Sequence, residues 1–147
     1  MQDNFLYIYL HIPKCAGTTI YKHICIELHS DNVLEFDESF YGSLLKGKSV
    51  AYISRDEKQK IQHEIDSKIE YKIKQMTESE REAIQIIYGH YVPYGIHKYF
   101  NKPARYITFL RDPFDLIVSA YNFFVGFHKS GKLPEHSKSF IMEKNCI

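Results

Sequence analysis

Short apolar segments alternate with segments of helical periodicity along this chain, and this alternation constrains the fold more than any other feature. The first apolar segment, 5–10, is aromatic and β-branched, and a loop of small residues follows it directly. Beyond the loop, Ile20, Ile24 and Leu28 recur at helical spacing and predict a helix that begins at 17–19. Strands that alternate with helices are typical of parallel sheets, because a parallel connection needs a crossover element. We therefore predict an α/β fold in three layers, with a mainly parallel sheet flanked by helices.

The rest of the chain repeats this alternation. Three more segments rich in β-branched and aromatic residues predict strands at 32–36, 84–88 and 104–110. A helical segment over 54–83 begins with Ser54, whose hydroxyl forms a capping box with a Glu three residues later. A last long helix is expected to begin at Asp112 and Pro113, which suit the N-cap and the first helical position, and to end near Val125. Shorter helical segments are expected at 96–100 and 134–145.

Length and composition indicate one globular domain over residues 1–147. With 147 residues, of which 44% are hydrophobic, the chain is long enough to bury roughly two-thirds of its unfolded surface. The 19 basic and 18 acidic side chains leave a net charge of +1, which excludes a strong basic stripe and generic nucleic-acid binding. Any anion site must therefore be local.

Cysteine usage and the amino-terminal sequence predict a cytoplasmic protein. The three cysteines form no Cys-x-x-Cys pair, which favours free thiols in a reducing compartment. No uninterrupted apolar stretch reaches the roughly 18 residues of a membrane span. The first four residues lack the positive charge of a secretory signal, and a predicted strand follows them at once.

Two predicted strand–helix junctions carry side chains suited to anions. In parallel α/β sheets, ligands bind where strands end, and a helix amino terminus offers unpaired N–H groups to an anion. At the first junction Lys14 supplies a positive charge, and Gly17 lets the backbone approach a phosphate. Thr18 and Thr19 add hydroxyl donors. The order differs from a Walker A motif, because the lysine precedes the glycine.

The second junction follows the strand at 104–110. Arg111 leaves the strand end, and its guanidinium suits bidentate binding of a phosphate. Ser119 lies on the helix that follows. Each feature also has an ordinary structural explanation: a surface lysine, a capped helix start, a neutral helix position. The combination of both junctions is what points to a phosphate-bearing ligand.

Three segments together resemble the sulfotransferases that use 3′-phosphoadenosine 5′-phosphosulfate (PAPS). Residues 11–19, HIPKCAGTT, resemble the 5′-phosphosulfate loop of that family, and residues 110–121, LRDPFDLIVSAY, resemble its 3′-phosphate motif. Gly89-His90 lies between them, as a Gly-His segment does in the branch similar to heparan sulfate 2-O-sulfotransferases. The resemblance covers 5–124 and implies a P-loop-like nucleotide-binding core. Its units are the phosphosulfate-loop unit at 5–30, the helical segment at 54–83, and the candidate base and 3′-phosphate unit at 84–125.

The resemblance also implies the donor, the acceptor and the roles of the site residues. PAPS would donate its sulfuryl group to a hydroxyl, of a carbohydrate or another acceptor, and leave as 3′,5′-adenosine bisphosphate (PAP). Lys14 would place a cation beside the bridging oxygen, and Arg111 with Ser119 would hold the 3′-phosphate. The 5′-phosphate would be held by Lys14, Cys15, Ala16, Gly17, Thr18 and Thr19. This scheme needs no metal ion, and no His, Cys or carboxylate cluster in the sequence has metal-ligand spacing.

His90 is the candidate general base. The acceptor hydroxyl must lose a proton, and a histidine that titrates near neutral pH is the natural group to take it. His90 follows a predicted strand end and a glycine, where a side chain can reach a cleft; the alternative is a structural loop residue. His11 stands beside the loop and is a candidate for ordering Lys14 or the loop backbone. Tyr88 and Tyr94 are candidates for the acceptor side.

Other functions stay open at this level. A P-loop nucleotide kinase would need Mg²⁺, a Walker A lysine and an aspartate on a neighbouring strand, none of which the sequence places convincingly. A non-catalytic or incomplete module would bind PAP or PAPS without turnover, and domains of the family usually continue beyond the elements found before Ile147. Cys15 is either a small residue that fills the loop or a reactive thiolate beside Lys14. The sequence does not predict an oligomeric state.

Overall fold

Four short strands and four α-helices alternate in the part of the chain that the computed structural model describes, residues 4–36, 54–90 and 92–130. The strands are β1 (Leu6–Leu10), β2 (Val33–Phe36), β3 (Ile86–Gly89) and β4 (Ala104–Ile107). The helices are α1 (Gly17–Glu27), α2 (Arg55–Gln75), α3 (Glu78–Ala83) and α4 (Pro113–Lys129). Two short 3₁₀ segments are Ser30–Asn32 and Ile96–Tyr99. The helix predicted at 134–145 lies outside the described residues.

All strand pairs of the described sheet are parallel, and the strands lie in the order β2-β3-β1-β4. Ile8 of β1 pairs with Ile87 of β3 on one side and with Tyr106 of β4 on the other, so β1 is an interior strand. Because the strands are parallel, the carboxyl ends of β1, β3 and β4 lie at one edge of the sheet, where ligands of such sheets bind. The predicted α/β fold is confirmed.

One face of the sheet packs against α2. Leu6 and Ile8 of β1 are fully buried on this face. Helix α2 contributes isoleucines spaced four residues apart, each 1% exposed: Ile65, Ile69 and Ile73. Residues four apart lie on the same side of a helix, so a single stripe of α2 covers the sheet. Burial of each isoleucine contributes about 1.5–3 kcal/mol to stability.

The opposite face of the sheet packs against α1. Tyr7 and Tyr9, which alternate with the residues just named, lie here with Ile20 and Ile24 of α1. Successive side chains of a strand point to opposite faces, so the sequence of β1 alone requires a cover on both sides. The result is three layers, with α1 on one face of the sheet and α2 on the other.

Side-chain caps fix the starts of α2 and α4. Ser54 Oγ accepts a hydrogen bond from the backbone N–H of Glu57, at 3.2 Å, where α2 begins. At the start of α4, Asp112 Oδ1 accepts from the backbone N–H of Phe114, at 2.9 Å. The helix starts predicted at Ser54 and Asp112 are therefore confirmed. None of the helices in the described ranges is long and apolar enough to cross a membrane.

Several predicted boundaries were wrong. Strand β4 ends at Ile107 rather than 110, and just beyond its end the Thr108 hydroxyl donates to the Leu10 carbonyl at 2.8 Å. Helix α4 continues past Val125 to Lys129, since Gly126 is accommodated inside it. Strand β3 begins at 86 rather than 84, because residue 84 still closes the preceding helix.

Candidate functional site

The loop between β1 and α1 holds two residues in an unusual backbone conformation. Lys14 and Ala16 have φ angles of 66° and 61°, in the left-handed region that costs a non-glycine residue about 1 kcal/mol or more. The turn is closed by the backbone N–H of Cys15, which donates to the Ile12 carbonyl at 3.2 Å. Cys15 is only 4% exposed, and the Tyr9 hydroxyl lies 3.5 Å from its carbonyl oxygen. Burial of this one residue therefore anchors a strained loop.

The amino end of α1 presents uncompensated N–H groups. Its N-cap is Ala16, whose side chain cannot accept a hydrogen bond, and the first turn contains no acidic residue. Gly17 begins the helix, and the exposed residues Thr18 and Thr19 follow. The positive end of the helix dipole is thus available to an anion, with two hydroxyls beside it.

His11 packs directly against the start of α1. A Cβ atom on Gly17 would lie 1.6 Å from His11 Nε2, so only glycine fits there while the ring keeps its place. His11 Nδ1 lies 2.9 Å from the Tyr88 hydroxyl, which is also 3.4 Å from the carbonyl oxygen of Gly17. Burial, and secondarily the charge of His90, lowers the pKa of His11 to about 4. His11 is therefore a neutral ring at physiological pH.

His90 lies on the other side of the His11 ring. The two imidazoles stack with centroids 3.9 Å apart and planes inclined by 27°. His90 Nδ1 is 3.0 Å from the main-chain oxygen of His11. A carbonyl oxygen only accepts, so Nδ1 of His90 carries the proton and Nε2 is the basic nitrogen of its neutral form. This arrangement suits a general base.

The second junction meets the first at the same edge. Arg111 Nη1 donates to the Lys14 carbonyl at 3.3 Å, which ties the β4–α4 connection to the β1–α1 loop. A cleft of about 440 Å³ lies between them. Its lining includes His11, Lys14, Ala16, Gly17, Thr18, Thr19, His90, Arg111 and Ser119. The structure thus brings together nearly all the residues that the sequence predicts for the site. They come from distant parts of the chain: 79 positions separate His90 from the His11 oxygen that it contacts.

Cys15 and Tyr94 lie apart from this group. The thiol of Cys15 is buried beneath the loop and its N–H is bonded to Ile12, so it supports the loop instead of lining the cleft. Tyr94 is 89% exposed, its ring lies 5.5 Å from that of Tyr106, and it is absent from the lining of the cleft. Tyr88 contacts His11 and Gly17 from below, and burial, followed by the charge of Tyr9, raises its pKa to about 12.

Phe123 is the site residue that the sequence reasoning missed. The ammonium of Lys14 lies 4.0 Å from the centroid of its ring, a cation–π contact between the loop and α4. Phe123 stands one helical turn beyond Ser119, on the side of α4 that faces the cleft. The sequence signal that could have identified Phe123 is its position four residues after Ser119, on the same side of the helix. Within the described ranges, no three His, Cys, Asp or Glu side chains cluster as metal ligands do.

Comparison with known proteins identifies the family. A family model described as "Sulfotransferase family" matches residues 1–140, nearly the whole chain. A search of curated proteins finds no significant match. A search of solved structures finds none either. With a parallel α/β fold and a family model that spans almost its full length, the chain belongs to the sulfotransferase family.

Proposed function

We propose that the chain is a PAPS-dependent sulfotransferase that acts on a hydroxyl group, with a carbohydrate as the acceptor class. One observation carries this proposal. Lys14 and Arg111, from two different strand–helix junctions, line a single cleft together with His90. The carbohydrate acceptor rests on the likeness of Gly89-His90 to the corresponding segment of heparan sulfate 2-O-sulfotransferases.

The donor groups of the cleft suit a ligand with two separate phosphates. The amino end of α1, with Thr18 and Thr19, offers N–H and hydroxyl donors at one end. Arg111, just before α4, and Ser119, within α4, also line an adjoining cleft of about 440 Å³. Asp115 also lines this second cleft, so two cations face one carboxylate and the local charge stays positive. When bound, PAPS would supply the activated sulfuryl group, and these residues would hold its phosphates.

Each side chain then has a distinct task. Lys14 would place its charge beside the phosphate oxygen that becomes more negative during transfer, which is electrostatic stabilisation by a preorganised group. Arg111 and Ser119 would align the nucleotide without taking part in bond making. His90 would accept the proton of the acceptor hydroxyl at Nε2, because its Nδ1 already donates to the main chain.

Calorimetric titration with PAP tests the two cations. Lys14→Ala and Arg111→Ala are each expected to weaken PAP binding by about 1.5–3 kcal/mol, the range for hydrogen bonds to charged groups. Lys60→Ala, which removes an exposed lysine of α2 outside the cleft, is the matched control and should bind like the parent chain. Parent-like affinity in both cleft variants would contradict the proposed site.

Transfer assays with labelled PAPS and a panel of carbohydrate acceptors test the base. His90→Ala is expected to slow sulfuryl transfer by roughly 10²–10⁴-fold, the usual contribution of a general base, while PAP binding stays unchanged. Transfer by His90→Ala at the parent rate would assign the base elsewhere. Binding of PAP by the parent chain without transfer to any acceptor would favour a non-catalytic module.

A further inference from the structure

The His11 ring connects the phosphate-binding loop to the candidate base. It contacts the start of α1 at Gly17, and it stacks on His90 at 3.9 Å. Behind it lie two more rings, Tyr9 with its centroid 6.0 Å away and Tyr88 with its centroid 5.4 Å away. A ring held on three sides in this way has little freedom to tilt.

We propose that His11 is a positioning residue: its ring fixes the plane of His90 against the phosphate-binding loop, while its main-chain oxygen fixes the tautomer of His90. This inference rests on the proposed function for its catalytic consequence. Its structural content, the state of the two rings, stands on the geometry alone.

The argument begins with what determines the orientation of an imidazole. The hydrogen bond from His90 Nδ1 to the His11 carbonyl, at 3.0 Å, fixes one atom of the His90 ring but leaves rotation about that bond. The stack on the His11 ring, with planes inclined by 27°, removes that rotation. Backbone and side chain of the same residue therefore fix both the position and the plane of the base. A misplaced base loses much of its effect, since proton transfer needs contact at hydrogen-bond distance.

The neutral state of His11 also favours the stack that orients His90. If both stacked rings were charged, they would repel each other at 3.9 Å. The groups that face His11 are Tyr9 from β1, Tyr88 from β3, His90 from the loop after β3, and the cations Lys14 and Arg111 across the cleft. No carboxylate is among these facing groups, and nothing in them favours a charged His11. His11 therefore stays neutral in the stack, which avoids repulsion between two charged rings.

Nuclear magnetic resonance of the ¹⁵N-histidine-labelled chain, without ligand, tests the structural content. The expected result is a His11 ring that stays neutral down to about pH 4 and a neutral His90 with its proton on Nδ1. His11→Ala should keep the proton of neutral His90 on Nδ1, because the main-chain bond is retained, but the His90 ring should become more mobile in ¹³C relaxation measurements, because the stacked ring is lost. His11→Phe, which keeps a flat ring, should restore the ring order of the parent chain. A His11 that titrates near pH 6.5, or a His90 ring as well ordered in His11→Ala as in the parent chain, would overturn the proposal.

Steady-state kinetics of the active chain test the effect of this positioning on catalysis. His11→Ala is expected to lower kcat by about 10- to 100-fold with little change in KM for PAPS, and His11→Phe should recover most of this loss. In a His90→Ala background, His11→Ala should have no further effect, because a positioning residue acts through the group that it positions. An equal loss in both backgrounds would overturn the positioning role. A chain with the expected tautomers but no transfer activity would count against the proposed function alone.

Discussion

Replacement of Gly17 by alanine tests the packing of the site without any ligand. The new Cβ would lie 1.6 Å from Nε2, 2.1 Å from Cε1 and 2.2 Å from Cδ2 of His11. Ordinary contact between such atoms is about 3.5–4.0 Å, so the ring must move by roughly 2 Å. No smaller adjustment relieves the overlap, because three atoms of the same ring are involved.

The structure indicates what this movement costs. It would break the hydrogen bond between His11 Nδ1 and the Tyr88 hydroxyl, worth about 1 kcal/mol. It would also disturb the stack with His90, worth about 0.5–1.5 kcal/mol. Alanine returns at most about 1 kcal/mol through its better helix propensity. We therefore expect Gly17→Ala to lower the free energy of unfolding by about 1–3 kcal/mol, the usual range for overpacking.

Urea unfolding of matched variants provides the assay. Gly126→Ala is the control, because a Cβ there meets nothing within 4 Å in α4, and it should stabilise the chain by about 0.5–1 kcal/mol. His11→Ala removes the obstructing ring, so Gly17→Ala should no longer destabilise in that background. If Gly17→Ala proved as harmless as Gly126→Ala in the parent chain, the contact between His11 and the start of α1 would be refuted.

Two further predictions concern stability. Gly89→Ala would place a Cβ 2.4 Å from the main-chain oxygen of Phe36, where β2 and β3 pair. Because paired backbone moves less easily than a side chain, we expect urea unfolding to show a loss of about 2–3 kcal/mol in the free energy of unfolding. Acid should also destabilise the chain, because the pKa of His11 is lowered to about 4 and the unfolded form takes up its proton first, near pH 6.5. The free energy of unfolding should fall by about 1–2 kcal/mol between pH 6.5 and 4, after allowance for solvent screening of the half-buried ring. His11→Phe, which has no titrating ring, should show a smaller fall over the same pH range.

The fold was largely predictable because its determinants are local. The alternation of Tyr and aliphatic residues in β1 requires cover on both faces, and the order of strands and helices favours a parallel sheet. Helix starts were predicted correctly at Ser54 and Asp112, where the capping group lies within three residues of the amide it accepts from. Such signals survive in any tertiary context.

One boundary error involves distant parts of the chain. Where strand β4 ends early, the Thr108 hydroxyl donates to the Leu10 carbonyl, 98 positions away, which no local pattern reveals. The contacts of Lys14 with Phe123 and with Arg111 have the same character. Helix α4 is rich in apolar residues, yet Phe114 is 80% and Ile117 66% exposed.

In the candidate site, too, some features follow from local sequence and others depend on contacts between distant residues. The residue types at each junction, a lysine before a small-residue loop and an arginine before a capped helix, are visible in the sequence. Their convergence on one cleft follows from the parallel sheet, since adjacent strands end at one edge. The stack of His11 on His90 was not predictable, because it depends on the register between β1 and β3.

Calorimetric titration of the chain with PAP in the presence of EDTA tests the central claim most directly, with ATP and Mg²⁺ as the comparison. The account predicts micromolar binding of PAP without metal and much weaker binding of ATP, because the proposed site has two separate groups of phosphate donors, around Lys14 and around Arg111. A folded chain that fails to bind PAP, or that binds ATP with Mg²⁺ more tightly, would contradict it.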